Sequence, residues 1–450
     1  MRRWCRLYLP ISTVVIYLAF TVLLFLFGPI EFRVHHSVLF GLYLALYLIA
    51  LVLGYFFALH TNLSLRKYHY PLLHFKALKN NPLIFYYVIL LLAVFSNLVF
   101  YKNVMLDDNI SLSGIFNSIL DGLKDPEAAY SSRMDRFSLY QGNKLFNVFY
   151  FFIAFSRLLL TAMIPIYWDK LSAAVKLLSL AVASFQVLVG LAAGLNKPIF
   201  DFFFFFTTSL VLFFVLNYIN FGVFFFRKRL LFVCVAAFAV PLFFVIFGMF
   251  MSSRGGGYSY FYNTSPLGDI FISNDSYLIG AFFGKSLEYI FNWLTYYLVQ
   301  GYYGFSLSIG YDFDSTFGFG NSPFLLRQLE FVVGESLSHL TFQEKISDIW
   351  DSQAQWHSFY AHIANDVHFI GVVFVMFFLG FYLARVWLSA LDDNIYAKLL
   401  IPLVALIFLF IPANNQVFGY LETFSYFLIV NILWLFSSFR SKSFCQLRSI

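Results

Sequence analysis

Apolar positions in this chain come in long unbroken runs, unlike the two-residue alternation of strands or the one-sided stripe of a soluble helix. A bilayer core needs about 20 consecutive apolar residues per helix. Runs of that kind predict helical spans at roughly 8–30, 37–59, 83–101, 145–167, 176–195, 199–218, 229–251, 369–388, 397–412 and 421–439. The phenylalanine run Phe202–Phe206 lies inside one of them.

Two stretches break the pattern. In residues 102–144, Leu112, Ile115, Phe116, Ile119, Leu120 and Leu123 recur at helical spacing, which predicts an amphipathic helix lying on the membrane. Asp125-Pro126-Glu127 then starts a second helix, with an N-cap acid, a first-turn proline and an acid beside the helix N-terminus. The longer break is residues 252–367. Inside it Ser286–Ile309 is apolar enough to cross a membrane and is rich in boundary-favouring aromatics: Tyr289, Trp293, Tyr296, Tyr297, Tyr302 and Tyr303. The expected organisation is all-α: one polytopic transmembrane domain over 1–450 with about ten spans, carrying 102–144 and 252–367 as two large outer loops.

Composition excludes a soluble fold. Of the 450 residues 61% are hydrophobic and 12% charged, with mean hydropathy +0.77. Soluble domains are about 25% charged. Cys5, Cys234 and Cys445 leave the outer loops without a disulfide framework.

Charge sets the orientation. Arg2, Arg3 and Arg6 precede the first span, Arg66, Lys67, Lys76 and Lys79 follow the second, and Arg440, Lys442 and Arg448 follow the last. Clustered bases mark the cytoplasmic side. Residues 252–367 hold four bases against eleven acids and fall on the other side, in a chain of net charge +6. That net charge reflects orientation and not nucleic-acid binding. Both termini are then cytoplasmic, which requires an even number of spans. Ser286–Ile309 is therefore expected to be re-entrant or to lie in the interface, with Gly301 and Gly304 permitting a bend.

Several residues are candidates for chemistry. Arg133 and Arg136 share a helical face with Tyr140 and form either a phosphate clamp or a solvated pair beside Asp135. Arg157 falls mid-span, where a charge faces a polar cavity or an acidic partner. Lys197 and Asp201 flank Pro198 at an outer turn, so Lys197 either points into that cavity or pairs with Asp201. Arg254 precedes Gly255-Gly256-Gly257, an anion-binding arrangement or a hinge. In WHSFYAHIANDVH (356–368), His362 and Asp366 are i, i+4 neighbours, so the acid can orient an imidazole as general base, or the segment is plain interfacial packing. His357 is the second candidate base. No strong metal-ligand pattern occurs, and no cofactor is expected.

At this point the chain resembles the O-antigen polymerases, bacterial inner-membrane enzymes that join oligosaccharide repeat units on a polyprenyl diphosphate carrier. The resemblance is carried by SSRMDRFSLYQG (131–142), GLNKPIF (194–200), SSRGGG (252–257), YYLVQGYYGFSLSI (296–309), GFGNSPFL (318–325), WHSFYAHIANDVHFIGVVFVMFFLGFYLARVW (356–387) and IPANNQ (411–416). The fixed arginine-to-glycine spacing found in both large loops of some members is absent. The resemblance implies a metal-independent glycosyltransferase of lipopolysaccharide biosynthesis. It would move the growing glycan from polyprenyl diphosphate onto a second lipid-linked repeat unit at the periplasmic face. Arg133, Arg136, Lys197 and Arg254 would then bind diphosphate, and His362, Asp366 and His357 would serve the acceptor hydroxyl. Tyr302, Tyr303 and Trp356 would stack on sugars. Expected partners are lipid-linked donor and acceptor, the bilayer and a chain-length regulator. An O-antigen ligase shares the same chemistry. A non-enzymatic flippase of lipid-linked oligosaccharide fits the long acidic outer loop poorly.

Overall fold

The computed structural model of the chain describes residues 2–65, 82–105, 112–139, 144–222, 237, 241–253, 270–272, 280–282, 284–352 and 355–446. The fold is all-α. Seven described helices are long and apolar enough to cross a membrane, and three shorter apolar helices, Pro241–Ser253, Ile395–Phe410 and Leu421–Ser437, fall on the remaining three expected spans. In hydrocarbon only a helix satisfies its own backbone groups, which is why runs of this composition take no other form. The described helices group into two compact units, the first built from residues 1–68, 258–393 and 403–420, the second from 69–257, 394–402 and 421–450.

The first unit begins with α1 (Arg2–Phe27), strand β1 (Ile30–Phe32) and α2 (Ser37–Leu65). β1 pairs antiparallel with β2 (Ile270–Ile272), Glu31 opposite Phe271. The largest helix contact in this unit is between α2 and the 33-residue helix Phe359–Leu391. Two glycines make it possible. A Cβ on Gly54 would lie 1.8 Å from the Phe377 carbonyl oxygen, and one on Gly380 would lie 1.9 Å from that of Leu51. Small residues that let backbones touch are the usual adhesive between membrane helices. Gly380→Ala is therefore expected to destabilise the protein by about 1–3 kcal/mol, the ordinary range for overpacking. Gly41→Ala on the same α2, where nothing lies within 4 Å, should be neutral or better. Thermal unfolding in detergent compares the two, and equal melting temperatures would contradict the contact.

The segment expected to be re-entrant or interfacial, 286–309, forms an unbroken helix, Lys285–Ser308, with no bend at its glycines. Its glycines serve close approach. A Cβ on Gly301 would lie 2.6 Å from the carbonyl oxygens of Pro412 and Ala413 and from Ser358 N, and one on Gly304 would lie 2.9 Å from Trp350 Nε1. Gly301 O accepts from Ser358 N at 3.2 Å, and Phe359 N donates to Ile411 O at 3.0 Å. Lys285–Ser308, the start of Phe359–Leu391 and the end of Ile395–Phe410 are thereby tied together around residues 357–362. The 33-residue helix starts at the N-cap Ser358, whose Oγ accepts from Ala361 N, and breaks at His368 (φ 58°, ψ 162°). That backbone region belongs almost wholly to glycine. The break separates the short N-terminal part from the expected span, which begins at 369.

The second unit holds α3 (Pro82–Met105), α4 (Leu112–Lys124), α5 (Pro126–Leu139), α6 (Lys144–Tyr167), α7 (Ala173–Ala192), α8 (Asn196–Phe221) and α9 (Pro241–Ser253), with the C-terminal helix Leu421–Gln446. Asp125 caps α5 as expected, its Oδ1 accepting from Ala128 N at 2.9 Å. The amphipathic α4 divides its stripe. Ile115 and Ile119 pack on a core that includes Phe100, Tyr150 and Val189, while Phe116, Leu120 and Leu123 remain exposed. Gly122 fixes this docking, since a Cβ there would lie 2.2 Å from the Leu191 carbonyl oxygen at the end of α7.

Candidate functional site

In the first unit the chemistry gathers on the short N-terminal part of the Phe359–Leu391 helix. His357 and His362 are both buried, with ring centroids 6.4 Å apart. Among the described residues neither ring nitrogen of His357 meets a hydrogen-bond partner. His362 Nδ1 has none among them either, while its other ring nitrogen pairs with the Asn414 side chain. Burial holds the pKa of His357 well below the ordinary histidine value, and the imidazole of His362 pushes it the same way. His357 is thus a neutral imidazole, carrying both a donor and an acceptor.

Asp366 does something other than expected. Its carboxylate is not turned to His362 but is enclosed by the loop Thr316–Asn321. Oδ1 accepts from the Thr316 hydroxyl at 2.5 Å, Gly318 N at 2.8 Å and Gly320 N at 3.1 Å. Oδ2 accepts from Asn321 N at 2.8 Å and Asn321 Nδ2 at 2.6 Å. Successive backbone N–H groups in such a turn form a concavity suited to an anion, and Asp366 supplies the anion from within. The glycines allow it: Gly318 has φ +90°, and a Cβ on Gly320 would lie 2.7 Å from the Asn365 Cβ. Sequence reasoning missed Asn365, which is fully buried. Its Nδ2 donates to Gly320 O at 3.0 Å and Gln343 Oε1 at 2.7 Å, and its Oδ1 accepts from Phe342 N at 2.9 Å. The available signal was the coincidence of an asparagine beside the acid with the GFGN loop.

Of the aromatics expected to stack on sugars, Tyr302 and Tyr303 are buried. Tyr302 meets Phe25 and Phe40 edge to face and lies 3.1 Å from the Thr21 hydroxyl. Tyr303 packs on Trp350 and Phe32. Their rings build the interior and offer no face to a ligand. Trp356 is partly exposed, its ring edge-on to Tyr297 at 4.8 Å.

In the second unit Lys197 lies at the turn between α7 and α8. Gly194 (φ +62°) makes that turn, and a Cβ there would lie 2.6 Å from the Pro126 carbonyl oxygen at the start of α5. Arg133 on α5 is half-buried and donates from Nε to Val104 O at 3.1 Å. Arg136 lies one turn further along the same helix. Lys197 Nζ is 2.9 Å from Asp201 Oδ2, so the pairing alternative holds. The end of α9 reaches the same turn, with Asn196 Nδ2 donating to Met251 Sδ at 3.9 Å. Arg254 and Tyr140 lie outside the described residues.

Arg157 sits among partners on several sides. It is buried, with Nη2 3.2 Å from Glu422 Oε1, Nη1 donating to Gln186 Oε1 at 3.0 Å and the guanidinium 3.6 Å above the Phe100 ring. Tyr150 donates to the same Glu422 oxygen at 3.2 Å. Of the two environments the sequence allows, the acidic partner is the one present.

Among the described residues no three His, Cys, Asp or Glu side chains converge as a metal donor set. The fold and these clusters define a polytopic helical membrane protein. Comparison of the chain with protein families, curated proteins and solved structures finds no match.

Proposed function

We propose that this membrane protein is a glycosyltransferase that polymerises O-antigen repeat units at the periplasmic face of the bacterial inner membrane, with both termini cytoplasmic. The observation that carries the reading is the buried pair His357 and His362 in the segment that also carries most of the family resemblance. A neutral imidazole with an open nitrogen takes a proton from a hydroxyl. The acceptor oxygen attacks the anomeric carbon of the donor glycan, and the bond from that carbon to the diphosphate breaks. The diphosphate leaves with the electron pair while the hydroxyl proton passes to the imidazole. The leaving diphosphate needs cations, a role guanidinium and ammonium groups suit best, and the resemblance offers Arg133, Arg136, Lys197 and Arg254 as the candidates. Asp366 supports the histidine segment by fixing the adjoining loop. The polyprenyl tails lie against the lipid-facing surface, and a chain-length regulator is the expected protein partner.

A deletion strain examined on a lipopolysaccharide gel tests this. Loss of a polymerase leaves core bearing one repeat unit. Core alone would point to a ligase or flippase, and an unchanged ladder would remove the glycan reading altogether.

A further inference from the structure

Phe317 is 83% exposed and holds a backbone φ of +55°. For a bulky aromatic that conformation is an outlier, kept only where the surroundings overdetermine it. Here they do. The residue sits on the Thr316–Asn321 loop, which the five donors to Asp366 lock in place and which Thr316 N ties to Asn365 O at 3.3 Å. Nothing in the core gains from this arrangement, because the ring points away from it. The fold uses a buried asparagine, a carboxylate and two constrained glycines to hold one phenyl ring in the open. The loop is anchored to Asn365 and Asp366, one helical turn from His362.

We propose that Phe317 is a stacking platform for a pyranose ring of the glycan, a proposal that rests on the polymerase reading above. A rigid exposed aromatic offers an apolar face to the C–H side of a sugar, and nearby polar groups take its hydroxyls. Ser315, Asp312 and Asp314 are exposed beside it, and Asp314 is held 2.8 Å from Lys345 Nζ. These acids disfavour insertion of the loop into lipid and offer acceptors for sugar hydroxyls beside the ring. The platform takes the place in the site that the buried Tyr302 and Tyr303 do not fill.

The test complements the deletion strain with variants of the full chain. Phe317→Ala should reduce long-chain product by about tenfold, the order of one lost aromatic contact, with protein level unchanged. Phe317→Trp and Phe317→Tyr should keep the ladder. Phe317→Gly should melt at or above the wild-type temperature, since glycine accepts φ +55° without strain, yet give the short ladder of Phe317→Ala. A wild-type ladder from Phe317→Ala overturns the proposal while leaving the polymerase reading intact. So does full rescue by Phe317→Leu, which would mark a lipid contact, or a lowered melting temperature in Phe317→Gly, which would mark a packed ring. If the deletion itself leaves the ladder unchanged, the polymerase reading fails and the proposal with it.

Discussion

Glu422→Leu is expected to destabilise this protein by about 3–5 kcal/mol, the usual cost of stranding one member of a buried ion pair. Arg157 is 2% exposed and the Glu422 side chain 18%. The two single variants are therefore unequal. Losing Glu422 leaves a buried guanidinium with Gln186 and the Phe100 ring among the described residues, and arginine does not deprotonate in proteins. Arg157→Met leaves a carboxylate that is partly exposed, so its cost should be smaller. The double variant Arg157→Met with Glu422→Leu should recover most of the loss, because apolar replacements of similar volume are often neutral where a buried pair stood. Thermal unfolding of the four proteins in detergent gives the double-mutant cycle. Additive losses would show that the groups do not interact, and an intact double variant lacking all activity would return Arg157 to a functional cavity.

That pair also marks the limit of what one sequence carries. Arg157 was recognisable because a charge inside an apolar run has few possible environments. Its partner was not, since Glu422 lies 265 positions away at the start of another helix. The spans were legible for the same reason that their contacts were not. An apolar run of about 20 residues has one structural solution in lipid, whereas which helices meet depends on single glycines. Gly54 and Gly380 have no local signature that separates them from a bend or a tolerated defect. Gly301 and Gly304 permit a bend by composition alone, and in the fold they admit Ser358 and Trp350. The Asp125 cap was visible because all its parts lie within three residues. Tyr302 and Tyr303 show the converse: an aromatic segment suits a membrane boundary or a buried core equally well, and only the fold distinguishes the two. The histidine segment stood out by composition, but its supporting residues Asn365, Gln343 and Asn414 are plain amides whose importance comes from the partners the fold brings to them.

Asp366 yields the other large effect. Asp366→Asn keeps the shape of the side chain but exchanges one accepting oxygen for an NH2 group that faces N–H donors. Hydrogen bonds to a charged acceptor contribute about 1.5–3 kcal/mol each, without strict additivity. With five donors converging on this carboxylate, a loss on the order of 3–5 kcal/mol is expected. Hydrogen exchange locates it: the amides of Gly318, Gly320 and Asn321 should lose protection first, while the helix beyond His368 keeps its own. The i, i+4 spacing to His362 offers the competing account, in which the acid orients a catalytic imidazole. That account predicts the reverse pattern, with unchanged melting and loop protection and a collapsed product ladder. Thr316→Val separates the two further, because it removes one donor to Oδ1 without touching the charge or the histidine. If Asp366 organises the loop, Thr316→Val should show a weaker form of the same loss of protection. If Asp366 serves the imidazole, Thr316→Val should leave both protection and product length as they were.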